Sequence, residues 1–359
     1  MTDTAVDGGR AGGEQAGDRR RGSWGSWGSW GSRGSRGRRW GRGSCAVLLG
    51  MLCVLPVVRL TGLDAGTPLA VPVVLLPYAG VLSLLVLGTV VAVPALRSVR
   101  RGAVAALLAA VHLALLVPRF VPDDRPHIPA HAPELRVATL NTHVGAADAR
   151  AVVRLVREER IDVLAVQELP AAGITALADA GLDKALPYRE LHPENDSSLY
   201  SRLPLTRGGE LKADTAWPQT TARVTVGGRT VCLVAVHTYY PLGDADRWNR
   251  DMTALTSAAR AAGPDTVFLG DFNATVDHAP LRDLLDGGHL IDTHAELGRG
   301  WARTWPAGGT LLPPLVQLDH VVHGSGLASV SVGERTVPGT DHRAVVATLA
   351  LLPAQERTG

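Results

Sequence analysis

Cysteine is scarce, with three in 359 residues. That is too few for a disulfide framework, and none is paired at zinc-site spacing. Cys45 and Cys53 fall in an apolar stretch and Cys232 in an expected strand, so all three read as small buried hydrophobes. Basic residues are scarce where a nucleic-acid-gripping surface would need them. The net charge is +2, yet residues 1–121 hold 14 of the 36 Lys+Arg and 5 of the 34 Asp+Glu, a balance of +9. The remainder carries 22 basic and 29 acidic residues, a balance of −7, so the part expected to fold is acidic. This argues against a broad electropositive face, although bound metal would offset the charge locally. The apolar stretch is also poor in ionisable groups. Apart from Arg59 near one end, it has no buried residue of the kind that marks an ion pathway, which points to anchoring rather than transport.

What is present divides the chain into five parts. Residues 1–43 are low in complexity: Gly22-Ser23-Trp24 recurs twice, then gives way to two Gly-Ser-Arg triplets. Nine arginines and four tryptophans make this a disordered basic tail. Residues 44–120 form a membrane region of about three helices, with two as the main alternative: 44–58, which reaches spanning length only if it runs on to 63, then 69–95 and the short 103–117. The tail and the loop Arg97-Ser98-Val99-Arg100-Arg101 belong on the cytoplasmic side, and three crossings satisfy both. The expected product is a multi-pass cell-membrane protein, N-terminus inside and soluble domain outside, in contact with the lipid bilayer. Residues 121–134 are a Pro-rich linker, 135–352 the soluble domain and 353–359 a tail.

From residue 135 strands and helices alternate. Strands are expected over 136–140, 163–166, 266–269, 318–322 and 344–349, and a hairpin pairs 221–226 with 230–236 around Gly227-Gly228. Helices are expected over 147–159, 246–262 and near 281–285. The mixture of hairpins and crossovers predicts layered α/β packing.

Polar clusters sit where these strands end. Gly270-Asp271-Phe272-Asn273 follows an apolar run, and the period of two aims Asp271 and Asn273 the same way. Such a pair orients a water, helps hold a cation and bonds a phosphate oxygen. Asn141 ends the first strand, and its amide suits a hard cation or a phosphate. Gln167-Glu168 leaves a carboxylate at a strand mouth, the ligand type Mg²⁺ prefers. Tyr200 and Arg202 in Tyr200-Ser201-Arg202 have the reach to meet a phosphate, or make an ordinary strand exit. His237 ends another strand, in position to protonate a leaving oxygen. Asp319-His320 and Asp341-His342 complete the set. Adjacent residues on a strand point oppositely, so neither dipeptide is a dyad, but a carboxylate of one strand can orient an imidazole on another.

The order Asn141, Gln167-Glu168, Tyr200-Ser201-Arg202, His237, Gly270-Asp271-Phe272-Asn273, Asp319-His320, Asp341-His342 resembles the endonuclease/exonuclease/phosphatase superfamily, the DNase I-like fold. Thr340 stands where relatives often carry Ser before Asp-His. The resemblance covers about residues 135–351 and none of the first 120. It implies a four-layered α/β sandwich, two face-to-face sheets covered by helices, that hydrolyses phosphate esters with Mg²⁺, Mn²⁺ or Ca²⁺ being alternatives. By position, Glu168 would be the principal metal ligand, with Asn141, and Asp319 a second metal-side or His-orienting carboxylate. Asp271 would orient or deprotonate water, Asn273 would hold the phosphate, and His342 would contact it with a carboxylate such as Asp341 or Asp319 behind. His237 would line the leaving-group side. The expected activity is a nuclease, with a phospholipid-headgroup diesterase or a phosphatase as the alternative. A non-catalytic scaffold would have lost one of these carboxylates, and none is lost.

Overall fold

The computed structural model describes residues 31–123, 126–193, 196–308 and 312–353. Its apolar N-terminal part is a helical bundle: α1 (Gly31–Thr61), the single turn α2 (Ala70–Val73), α3 (Leu76–Ala92) and α4 (Val99–Leu116), ending in a 3₁₀ turn over Val117–Phe120. Gly43–Thr61 and Val99–Phe120 are long and apolar enough to cross a membrane, judged by length and composition alone. Among the described residues, 21 of the 28 exposed large hydrophobic side chains lie between Val47 and Val121, so the apolar surface there is concentrated on this bundle.

Several expectations shift here. Helix α1 begins at Gly31, inside the stretch expected to be disordered, while residues 1–30 and 354–359 lie outside the described residues. The second expected span, 69–95, is not one helix. Pro72 and Pro77 lack an N–H, and the chain breaks into α2 and a 17-residue α3, below the usual spanning length. The bundle also buries ionisable residues that the sequence reading had not placed there. His112 is packed inside it, its Nδ1 2.9 Å from the Leu108 carbonyl, and Asp64 is fully buried against the soluble domain. The linker does not hold that domain away. The Asp123 N–H donates to the Glu296 carbonyl at 3.2 Å, and the Tyr78 hydroxyl donates to the Leu315 carbonyl at 2.7 Å.

The soluble domain has twelve strands: β1 (Glu134–Asn141), β2 (Val163–Gln167), β3 (Tyr188–His192), β4 (Ser197–Ser201), β5 (Thr206–Glu210), β6 (Thr220–Val226), β7 (Arg229–His237), β8 (Thr266–Asp271), β9 (Leu290–Asp292), β10 (Asp319–Gly324), β11 (Leu327–Thr336) and β12 (Arg343–Leu351). They form two six-stranded sheets, ordered β11-β12-β1-β2-β4-β3 and β5-β6-β7-β8-β10-β9. Helices α5 (Ala149–Glu158), α6 (Ala171–Asp179) and α7 (Leu182–Ala185) cover the first sheet, and α8 (Pro241–Ala262) and α9 (Ala279–Gly288) the second. The short α10 (Thr293–Glu296) follows β9. The result is the four-layered sandwich.

Strands β2 and β8 are buried along their whole length because one face meets the opposite sheet and the other a helix layer. Each sheet centres on a parallel pair, β1 with β2 and β7 with β8, joined through α5 and α8. The C-terminal ends of these pairs therefore emerge together, Asn141 beside Gln167 and His237 beside Asp271. The antiparallel neighbours β10 and β12 start at that same pole, where Asp319 pairs with Asp271. A β-carbon on Gly270 would overlap the Val236 carbonyl oxygen, so glycine is required for this pairing.

Behind β10 lies a buried ion pair, His320 Nδ1 to Asp292 Oδ2 at 2.8 Å. The other ring nitrogen is 3.0 Å from the Ala274 carbonyl, so both N–H groups of an imidazolium find acceptors. Burial pushes the Asp292 carboxyl up, but the His320 hydrogen bond and charge, with His294, outweigh it and hold the group at about 2. Burial likewise lowers His320, and the Asp292 hydrogen bond and charge overcome it to raise the imidazole. The Asp292 contribution is present above its unfolded value of about 4 and is lost as pH falls towards 2; that of His320 is complete below about 6.5 and is lost at higher pH. Asp292→Ala should cost about 3–5 kcal/mol, since it strands a buried cation. Denaturant unfolding of both proteins across pH checks this: the difference should be largest between about pH 4 and 6.5 and should narrow below that window.

Candidate active site

Seven polar side chains form a continuous path across the seam between the sheets. Asp196, just before β4, lies with Oδ2 3.0 Å from His237 Nδ1. His237 Nε2 is 3.9 Å from Glu168 Oε1. The Asn141 amide nitrogen donates to Glu168 Oε1 at 2.8 Å and to Asp271 Oδ2 at 3.1 Å. Asp271 Oδ2 is 3.7 Å from His342 Nε2, whose Nδ1 donates to Asp319 Oδ2 at 2.9 Å. Carboxylates and imidazoles alternate, with one amide between two carboxylates.

The backbone sets these positions. Glu168 takes a left-handed conformation (φ 53°) immediately after β2, which turns its carboxylate into the seam, where Oε2 accepts the Val144 N–H at 2.9 Å. Asn273 is also left-handed (φ 48°); its N–H donates to Asp271 Oδ1 at 2.8 Å and its side chain to the Thr238 carbonyl at 3.1 Å. The Thr340 hydroxyl ties the Asn141 carbonyl at 2.7 Å and accepts the His342 N–H at 3.1 Å, linking the two sides. Asp341 sits at the rim, with Oδ1 2.7 Å from His143 Nδ1 and Oδ2 accepting the Trp305 indole N–H at 3.2 Å.

These neighbours shift the ionisation of the buried groups. Burial lowers His342, but the charges of Asp319 and Asp271, with the Asp319 hydrogen bond, push it up to about 10, so it is an imidazolium at neutral pH. Burial lowers His237 also, and the Asp196 hydrogen bond with the charges of Asp271, Asp196 and Glu168 raises it. Asp271 is raised by burial, with His342 opposing and Asp319 adding to the effect.

The site thus brings together Asn141, Glu168, His237, Asp271, Asn273, Asp319, Asp341 and His342. It does not bring in Tyr200 or Arg202. Strand β4 runs antiparallel to β2, with Ser201 opposite Val163 and Ser197 opposite Gln167, so it carries both residues to the far pole. Tyr200 is fully buried under the helices of the first sheet, and Arg202 pairs with Asp162. The same reversal delivers Asp196 to the site. That aspartate was missed, as were His143, Trp217 and Trp305. Trp217 stacks on His237 with ring centroids 4.9 Å apart. An acidic residue opening a strand antiparallel to 163–167 was the available signal for Asp196, but it required the pairing direction.

The donor set fits a hard divalent cation. The carboxylates of Asp271 and Asp319 bring ligand oxygens within 4.8 Å of one another, and the buried Asp319 Oδ1 has no hydrogen-bond partner. Glu168 adds a partly exposed carboxylate. Asn141 differs from expectation: its oxygen accepts the His143 N–H at 2.9 Å and its nitrogen faces the carboxylates, so it links them as a donor.

A sandwich with carboxylates, imidazoles and an amide gathered at one end of both sheets defines a class of phosphoester hydrolases. The chain belongs to the endonuclease/exonuclease/phosphatase family, whose model matches residues 138–342, more than half of its length. Solved structures share the fold. Humanised D. rerio TDP2 is 14% identical, with a TM-score of 0.50 over 60% of this chain and 98% of its own. A family protein from Bacteroides thetaiotaomicron is also 14% identical, with a TM-score of 0.48 over 62% and 100%. Another from Beutenbergia cavernae is 21% identical, with a TM-score of 0.44 over 61% and 72%. No curated protein matches the sequence significantly.

In Asp319→Asn the carboxylate that holds the His342 proton is neutralised and burial remains. The His342 imidazole should then titrate well below 10, which the pH dependence of its ring-proton resonance measures.

Proposed function

We propose that the protein is a divalent-metal-dependent phosphoester hydrolase of the membrane surface, acting on the phosphoester of an amphiphile such as a phospholipid headgroup. The observation that carries this reading is the composition of the site's cavity, about 650 Å³ in volume. Its polar lining includes Glu168, His237, Asp271, Asn273 and His342, with Asp196 and Asp341 also present, while Ala70, Val71 and Val74 of the anchor line one part and Val144, Leu242, Trp305 and Val316 add further apolar surface. Among the described residues no lysine or arginine lines it. A nucleic acid is gripped chiefly through basic contacts to successive phosphates, so the nuclease expected on family breadth takes second place. A single phosphate joined to an apolar body matches a lining with both polar and apolar parts.

Glu168, linked through Asn141 to Asp271, would hold a divalent cation, which would supply charge neutralisation at the phosphoryl oxygens. Asp271, raised by its burial, is the group that orients and deprotonates the attacking water. The His342 imidazolium, held by Asp319, stabilises negative charge on the phosphoryl group, and Asn273 positions it. His237, whose proton affinity Asp196 raises and whose ring stacks on Trp217, gives a proton to the leaving oxygen when protonated. The end of α1, the start of α3 and the end of α4 all meet the soluble domain, while exposed Arg97, between α3 and α4, and exposed Arg100, in the first turn of α4, lie at the opposite end. That disposition supports an N-in, C-out arrangement with the domain outside.

Full-length protein in lipid vesicles should release headgroup phosphate or phosphoester in a chelator-sensitive reaction and leave plasmid DNA and RNA intact. Preferential cleavage of nucleic acid would restore the nuclease. Glu168→Ala and His342→Ala should each lower turnover at least about 100-fold with the fold retained by circular dichroism; near-native activity in either would remove that residue from the mechanism. A periplasm-active reporter fused after Gly359 should work, and a cytoplasm-only reporter should not.

A further inference from the structure

The loop that leaves Asp271 is held by the anchor rather than by the soluble domain alone. Residues 272–278 connect β8 to α9, and His278 at the helix N-cap makes no side-chain cap of its own. The first N–H of α9, that of Ala279, instead donates at 2.7 Å to Oδ2 of Asp64, a fully buried residue of the α1–α2 connection. One turn earlier, Asp277 is buried with its carboxylate between two guanidinium groups. Arg59 at the end of α1 donates from Nε at 3.1 Å, and Arg119 after α4 donates from Nη1 at 3.1 Å and also from Nη2. Arg282 then ties the Arg59 carbonyl at 2.8 Å and the Asp277 carbonyl. His278 closes the set. Its Nδ1 accepts the Thr275 N–H at 2.8 Å, which leaves Nε2–H to donate to the Ala70 carbonyl at 2.9 Å.

Three separate segments of the anchor therefore converge on residues 275–279, two to eight residues beyond Asp271 and Asn273. Ion pairs buried this deeply contribute little net stability against apolar packing, but they specify one register of docking. Asn273 is held in a left-handed conformation by its own loop bonds, and small errors in such a placement cost catalysis heavily.

We propose that Asp64 and Asp277 are positioning residues for Asp271 and Asn273, so that the hydrolytic site is complete only when the domain is docked on its own anchor. The activity arm of the test rests on the phosphoesterase reading above; the exchange arm does not. The full-length chain, in detergent, is assayed with Mg²⁺ and bis(p-nitrophenyl) phosphate, a small soluble diester with no lipid part. Asp64→Ala and Asp277→Ala should each lower kcat about 10–100-fold with KM within about twofold, since the loop is misplaced and the cavity is not. Asp64→Asn, which keeps an acceptor for the Ala279 N–H, should recover most of that loss. Tyr78→Phe loosens the same interface away from the loop by removing the hydroxyl bond to the Leu315 carbonyl, and should leave kcat within about twofold. Native kcat in both alanine variants, or an equal loss in Tyr78→Phe, would overturn the proposal. Hydrogen exchange reads the same point without turnover: amides of residues 272–279 should lose protection in Asp64→Ala and regain it in Asp64→Asn. Unchanged protection there would overturn it even if the wild type cleaves none of the phosphoesters tried, a result that would count against the proposed function instead.

Discussion

Five carboxylates, those of Glu168, Asp196, Asp271, Asp319 and Asp341, converge on one pole of this sandwich, two of them buried, and their mutual repulsion is the constraint around which the site is arranged. Glu168 and Asp271 lie on either side of the Asn141 amide, and Asp319 lies beyond His342. Unpaired buried charges of this kind would neutralise by taking up protons. The fold interleaves cations among them: His342 is held charged between Asp271 and Asp319, and Asp196 raises the proton affinity of His237. The groups that offset the cost of assembling the pole are the ones to which roles on a phosphate are proposed above. Stability and chemistry draw on the same side chains.

The architecture makes this assembly possible because both sheets repeat one device. A central parallel pair presents two C-terminal ends, and antiparallel neighbours begin beside them. Each sheet supplies half of the path, and the sheets meet at the Asn141 to Asp271 hydrogen bond. Gly270 allows β7 and β8 to approach closely where that half is built. The requirement is local and steric, and it explains why the tetrapeptide begins with glycine.

Much of this was legible in the sequence because strand-end polar residues after fully apolar runs carry a strong local signal. Asn141, Glu168, His237, Asp271 and Asn273 were all found that way, and the cross-strand pairing of a carboxylate with His342 was anticipated from the opposite facing of adjacent residues. Tyr200 and Arg202 misled because the direction of β4 is a property of pairing, not of local pattern. Asp196 was missed for the same reason. The second apolar stretch was read as one span because hydropathy averages over Pro72 and Pro77, whereas the helix cannot. The docking of the N-terminal helical bundle was invisible: Asp64 and Asp277 are ordinary loop aspartates until the tertiary fold places Arg59, Arg119 and the α9 N-terminus around them.

The contact between the Tyr78 hydroxyl and the Leu315 carbonyl, with Trp301 packed edge-on against the same ring, has a kinetic consequence. Together with the buried aspartates it removes the freedom of the domain to tumble on its tether. In a bilayer the cavity mouth would then stay at one height and one tilt. Encounters with a membrane-borne substrate would be governed by its density per unit area and its lateral diffusion, and the volume in which the membranes are suspended would not enter the rate.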